Sequence, residues 1–238
     1  MTLNHVYDII KAVKSILQEV FFIMIKLVIF DLDGTLLNSI EDIADALNAS
    51  LEEMGYPVHK LSEFNHLVGD GVFQLCERAL PDGEKHHAAE LQSKFSQHYR
   101  KNATHKTAPY DGIKEVLEEL GKRNIKLAVA SNKVHEFSVE MVKNYFGDIF
   151  DIILGNAAER PKKPQPVIIY DILEYTGIDK SEAVMTGDSD VDIFTARNAG
   201  IKSIGCEWGY RGRKELQEAG ADYIASVPAD ILKYIEIM

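Results

Sequence analysis

The chain has 238 residues, 46% of them hydrophobic, and a formal net charge of −11; it is long enough to bury a sizeable core, as one large domain or as a domain with an insert. The acidic balance argues against nucleic acid as a partner, so an anionic ligand has to be drawn in by local features rather than by the overall field. No run reaches the roughly 18–20 consecutive apolar residues of a membrane span, and Cys76 and Cys206, in no CxxC pattern, read as buried thiols of a reducing cytoplasm.

In residues 1–23, Val6, Ile9, Ile10, Val13, Ile16, Leu17, Val20 and Phe21 recur at helical spacing, with Asp8, Lys11, Lys14 and Gln18 opposite. This predicts an amphipathic helix and not a secretory signal, because there is no basic leader and no unbroken apolar stretch. Two readings stand: a misassigned start with Met24 as the true first residue, which has slightly more weight, or an added helix that docks on the core or a partner. The short, mostly apolar segment Lys26 to Phe30 then reads as a buried strand. It runs directly into Asp31-Leu32-Asp33-Gly34-Thr35-Leu36, with Gly34 marking a turn. Two carboxylates two residues apart at a strand end repel, and such pairs usually serve a cation or a reaction.

Ser39-x-x-Asp42 has the form of a capping box, and Ile40, Ile43, Leu47 and Leu51 make one helical stripe ending before Gly55. Further helices are predicted near Val72 to Leu80 and Glu84 to Lys101. No strand pattern occurs between Asn38 and Thr107, so this block reads as an all-helical lid of residues 39–107. From Tyr110 onward helices and strands alternate. Strands are predicted at Ile125 to Ala130, Ile152 to Leu154, Ala183 to Thr186, Ile201 to Cys206 and Tyr223 to Ile224. Helices are predicted near Gly112 to Arg123, His135 to Tyr145, Pro166 to Thr176, Asp190 to Ala199 and Arg213 to Ala219, with Gly200 as a C-cap and a last helix from about Pro228. The alternation implies an α/β, Rossmann-like doubly wound parallel sheet with helices on both faces, built from residues 24–38 and 108–238. In such a sheet the site lies at the strand C-termini, where Asp31, Ser131 and Asp188 are expected.

A second acidic cluster, Gly187-Asp188-Ser189-Asp190-Val191-Asp192, also follows a strand and opens a helix. Aspartates at two strand ends with a divalent ion between them make a Mg²⁺ site by type: a hard cation with oxygen ligands. Between the clusters come Val129-Ala130-Ser131-Asn132 and Lys162-Lys163-Pro164-Gln165-Pro166, a hydroxyl after a strand and a lysine on a loop, both suited to a phosphoryl group. Asn132 and Lys133 also admit the plainer reading of a turn and a surface charge, with Asn132 weighted toward function. His86 and His87 lie in a polar stretch and read as solvated surface.

DxDGT, Ser-Asn after a strand, Lys-Pro-x-Pro and GDSDxD, in that order, resemble the haloacid dehalogenase superfamily from about Met24 to the end, and more narrowly its phosphoglycolate phosphatase-like members with an inserted helical cap. The resemblance implies Asp31 as the nucleophile that becomes an aspartyl-phosphate, and Asp33 as general acid and base with its backbone carbonyl on the metal. It implies Ser131 and the amide of Asn132 as phosphoryl ligands, and Lys163, with Lys162 as the alternative, as the neutralising cation. Asp188 is then the direct metal ligand, and Asp192 supports Lys163 or the metal's waters. Dehalogenases of the superfamily lack the second aspartate, so Asp33 favours phosphoryl chemistry. Gly69-Asp70-Gly71 resembles the substrate-specificity loop of the phosphoglycolate phosphatases, and Trp208-Gly209-Tyr210-Arg211-Gly212 resembles a loop of the same subgroup. Arg78 reaches either a substrate carboxylate or a partner inside the lid.

The expectation is thus a cytoplasmic, Mg²⁺-dependent phosphatase of a small phosphorylated metabolite, monomeric or homodimeric, with phosphoglycolate as the best single substrate. A pyrophosphatase, a broad-range sugar or nucleotide phosphatase, a phosphosugar mutase and a non-catalytic regulator are the alternatives. Phosphonate hydrolysis, which needs a lid lysine such as Lys60, is disfavoured.

Overall fold

The computed structural model describes residues 24–238; the amphipathic helix expected in residues 1–23 lies outside them. The first strand, β1 (Leu27–Phe30), has all four side chains buried, as an unbroken apolar run in a parallel sheet should. Its alternate residues serve two cores. Leu27 and Ile29 pack on one face of the sheet, Val28 and Phe30 on the other. Each such side chain is worth about 1.5–3 kcal/mol when taken from water.

After β1 the chain makes a two-stranded antiparallel ribbon from β2 (Leu37–Asn38) and β3 (Ala108–Pro109), with Leu37 opposite Pro109 and Asn38 opposite Ala108. Four helices lie between those strands: α1 (Ile40–Glu53), α2 (Phe64–Leu67), α3 (Val72–Ala79) and α4 (Ala88–Asn102). They bury their own core of Leu47, Leu51, Phe64, Leu75, Leu91, Phe95 and Tyr99. The ribbon and α2 carry no legible pattern, since strands of two residues and a helix of four are too short for a period to show.

The main sheet continues with α5 (Ile113–Lys122), β4 (Lys126–Val134), α6 (His135–Phe146), β5 (Ile152–Asn156), α7 (Val167–Thr176) and β6 (Ala183–Gly187). It ends with α8 (Asp190–Ala199), β7 (Lys202–Cys206), α9 (Gly212–Ala219), β8 (Tyr223–Ala225) and α10 (Ala229–Ile237). The strand order is β5-β4-β1-β6-β7-β8, and every pairing is parallel. Helices α5, α6 and α10 cover one face, and α7 and α8 the other. Gly200, with φ +73°, closes α8 in the left-handed conformation. No helix among the described residues is long and apolar enough to cross a membrane.

Two local expectations are corrected. Strand β4 does not stop at Ala130: it runs to Val134, but its ladder with β5 is regular only through Ala130 and resumes at Val134. Ser131, Asn132 and Lys133 therefore sit in an irregular stretch of strand rather than beyond its end. Ser39 and Asp42 do not form a capping box. The Ser39 hydroxyl donates to Asp33 instead. Asp42 is buried and accepts from the backbone N–H groups of Lys106 (3.0 Å) and Thr107 (2.8 Å) and from the Thr107 hydroxyl (2.7 Å). The carboxylate thus ties the outgoing helix to the returning chain.

Candidate active site

The central strands β1, β4 and β6 deliver their C-terminal residues to one cleft under the helical cap. Asp31 follows β1 directly and is anchored by its N–H, which donates to the Thr186 carbonyl at 2.8 Å. Gly34, at φ +88°, turns the chain beneath it. Asp188 follows β6. Its carboxylate accepts from the Tyr210 N–H (2.8 Å) and the Thr35 hydroxyl (3.3 Å). Gly34 and Gly209 pack so tightly against Asp188 that a Cβ on either would come inside 3.0 Å of it.

Lys163 lies fully buried between two carboxylates, 2.9 Å from Asp31 and 2.6 Å from Asp192. The other oxygen of Asp192 accepts from the Ser189 N–H (3.2 Å) and hydroxyl (2.8 Å), so Ser189 and Asp192 form the capping box that starts α8. Asp190 is the first residue of that helix and takes no part in its capping box. Carboxylate oxygens of Asp31, Asp188 and Asp192 lie within 4.8 Å of one another. Burial drives the Asp31 pKa up to about 7 against the pull of Lys163. Burial, then the charges of Asp192 and Asp31, raise Asp188 well above the usual carboxylate range. Burial works against the Lys163 ammonium, but Asp192 and Asp31 outweigh it and hold its pKa above the ordinary value.

Asn132 acts as a joint. Its side-chain amide donates to the carbonyls of Lys163 and of Gly69 in the cap (3.1 Å each), and its oxygen accepts the Lys163 N–H at 2.9 Å. Ser131 accepts the Lys133 N–H (3.2 Å). Between cap and core remains a cavity of about 70 Å³. Asp31, Asp33, Ser131, Asn132 and Asp188 line its core side, and Gly69 and Gly71 border it from the cap. Lys163 and Asp192 stand behind Asp31. Asp31, Asp33, Gly69, Gly71, Ser131, Asn132, Lys163, Asp188 and Asp192 therefore fall around one point.

Residues 28–206 match the family model described as haloacid dehalogenase-like hydrolase. The chain belongs to that family of hydrolases. It is similar to the phosphoglycolate phosphatase of Aquifex aeolicus, at 35% identity over 89% of this chain and 97% of that one. It is also similar to the phosphoglycolate phosphatase of Vibrio parahaemolyticus, at 32% identity over 90% and 97%. A solved protein of Lactobacillus delbrueckii subsp. bulgaricus superposes with a TM-score of 0.85, at 28% identity over 89% and 98%.

The sequence pattern of this haloacid dehalogenase-like hydrolase left several site residues unassigned. Lys133 is the main one: it is not a surface charge but a buried ammonium, 3.0 and 3.1 Å from the Asp33 carboxylate and 2.7 Å from the hydroxyl of Tyr99 in the cap. Its burial opposes the charge, yet Asp33 and Tyr99 together raise its pKa above the ordinary value. Nothing distinguishes such a lysine from a surface one except its place directly after Ser-Asn. Ser39 and Tyr210 complete the ring around Asp33, the Tyr210 hydroxyl lying 3.1 Å from both the N–H and the Oγ of Ser39.

Three core side chains also hold the cap. Asn132 holds Gly69, as above. Arg211 donates to the Val68 carbonyl (2.9 Å), and Lys162 donates to Gln74 (2.7 Å). The two neighbouring lysines thus part, Lys163 to Asp31 and Lys162 to the cap. Arg78 pairs with Asp70 and donates to the Leu67 carbonyl inside the cap, Lys60 is exposed, and Trp208 donates to the Thr35 carbonyl (3.1 Å) while packing on the core.

Proposed function

We propose that this hydrolase is a Mg²⁺-dependent phosphatase of small phosphomonoesters, with 2-phosphoglycolate as the best single substrate. One observation carries the reading. Three buried or nearly buried carboxylates, Asp31, Asp188 and Asp192, face a single ammonium, Lys163. The cluster is short of two positive charges, and a divalent cation supplies two. The donors are all carboxylate or carbonyl oxygens, which suit a hard ion such as Mg²⁺ better than a soft one. Asp31, Asp188 and the carbonyl of Asp33 are the groups to hold it, since Asp192 is already committed to Lys163 and Ser189. When bound, the ion screens phosphate charge so that an anionic nucleophile can approach.

The chain's own groups do the rest. Asp31, held by Lys163, attacks phosphorus and forms an aspartyl-phosphate as the bridging P–O bond breaks. Asp33, held by Ser39 and Lys133, gives a proton to the departing oxygen and then takes one from the water that cleaves the acyl phosphate. Ser131 and the Asn132 amide cradle the transferring oxygens, and Lys163 balances their charge. The cap, pinned by Arg211, Lys162 and Asn132, excludes bulk water. Its cavity of about 70 Å³ favours a compact substrate. The similarity to phosphoglycolate phosphatases over most of their length supports the same choice.

The test is phosphate release from a panel of phosphoglycolate, sugar phosphates, nucleotides and pyrophosphate. Mg²⁺-dependent turnover that is lost in EDTA and in Asp31→Asn is the expected result. Turnover retained in Asp31→Asn, or no turnover of any phosphomonoester, refutes the reading.

A further inference from the structure

We propose that Lys133 recognises a carboxylate on the substrate, so that phosphomonoesters of α-hydroxy acids are the class this site selects. The inference rests on the phosphatase reading above and adds a residue and a chemical group to it.

The argument begins with where the ammonium stands. Lys133 lines the cavity, with its side chain only 6% exposed. An ammonium has three N–H donors. Asp33 takes one side of it with both oxygens, at 3.0 and 3.1 Å, and the Tyr99 hydroxyl takes another at 2.7 Å. Those three acceptors match the three donors, so a substrate carboxylate binds by displacing one of the two Asp33 oxygens and sharing the ammonium with the other. Asp33 is the group that serves the leaving oxygen, so that oxygen lies within about 2.6–3.2 Å of its carboxylate at reaction. A carboxylate on the adjoining carbon is only two bonds of about 1.5 Å further on. Lys133, in contact with the same Asp33 carboxylate, is within reach of that position.

The competing cations are committed elsewhere. Lys163 is held between Asp31 and Asp192. Lys162 is bound to Gln74 of the cap. Arg211, which also lines the cavity, is turned to the Val68 carbonyl and His66, with Glu215 at 3.7 Å. The remaining cap-side lining is largely apolar, with Ile43, Val68, Val72, Leu75 and Phe95, and Phe137 of α6 adjoins it. Those side chains offer no partners to the hydroxyls of a sugar, whose desolvation would go uncompensated. The leaving group that fits is short and ends in one negative charge.

The experiment compares 2-phosphoglycolate with 2-hydroxyethyl phosphate, which replaces the carboxylate with an alcohol, in Mg²⁺ buffer. Wild type should favour the carboxylate by a kcat/KM ratio of about 10–100-fold, the scale of one hydrogen bond to a charged group. In Lys133→Met both substrates slow, because Asp33 loses a contact, but the ratio should collapse to within a few-fold, chiefly through KM for phosphoglycolate. Lys133→Arg keeps the charge in a different shape and should restore part of the ratio. Equal losses on both substrates with the ratio intact would overturn the proposal and leave Lys133 as a positioning residue for Asp33. A wild-type ratio near one with good turnover of both would overturn it while sparing the phosphatase reading; turnover of neither, nor of any other phosphomonoester, would remove both. Circular dichroism checks the fold of each variant, and Lys133→Arg decides the matter if Lys133→Met does not fold.

Discussion

Lys163→Met is the sharpest perturbation of the site's electrostatics. The change removes a fully buried ammonium and leaves Asp31 and Asp192, formerly 2.9 and 2.6 Å from it, with no compensating charge. Breaking a buried ion pair by deleting one partner costs about 3–5 kcal/mol. At about 2–4 °C per kcal/mol for a chain of this size, the melting temperature of the metal-free protein should fall by about 6–20 °C. The companion variant isolates the cause. Asp192→Asn retains an oxygen to accept from Ser189 but loses the charge, so the double variant Lys163→Met/Asp192→Asn should recover part of the stability lost in Lys163→Met. A double-mutant cycle by thermal and urea unfolding in EDTA measures the coupling directly. A loss of under about 3 °C in Lys163→Met, or a double variant as unstable as the sum of the singles, would refute the charge argument.

Two further predictions follow from the same geometry. Asp31, ordinarily at 3.8, is raised to about 7 by burial, and Asp188 is raised as well. An acid whose folded pKa lies above its unfolded value contributes stability that is present at low pH and lost as pH climbs through the folded pKa. The metal-free protein should therefore melt at a higher temperature at pH 5 than at pH 8, and Mg²⁺ should raise that temperature more at pH 8; an equal Mg²⁺ shift at both would contradict this, and Asp188→Asn should shrink the difference. Gly209→Ala would press a methyl group into Asp188 and the Gly34 carbonyl, costing about 1–3 kcal/mol as overpacking. Mg²⁺ titration should show metal affinity falling by about 10–100-fold, the scale seen when a ligand's support is disturbed; unchanged affinity would mean that the glycine does not hold the ligand.

The core strands were legible chiefly as short, mostly apolar runs alternating with helices, and the longer helices because their apolar stripes face one side. The carboxylate clusters were legible for a different reason: an aspartate at the end of a buried strand conflicts with its surroundings, and a conflict is visible in sequence. Lys133, Tyr99 and Ser39 carry no such conflict. A lysine after a strand looks solvated, a tyrosine in an amphipathic helix looks like core, and a serine before a helix looks like a cap. Their roles arise only when the cap folds back over the sheet and brings positions 33, 99 and 133 together. The Ser39–Asp42 motif misled because Ser39 turned back to Asp33 and Asp42 found Lys106 and Thr107, partners that the capping pattern does not encode.

The two-stranded ribbon of Leu37–Asn38 with Ala108–Pro109 bears on how this protein can change over time. It holds the two ends of the inserted segment side by side through backbone pairing alone. Closing a free loop of roughly 70 residues costs on the order of 4 kcal/mol of chain entropy, and the ribbon helps the core to meet that cost itself. The insert can then vary in length, content and helix number without disturbing the sheet beneath it. The floor of the cleft and its roof meet at a seam two residues wide.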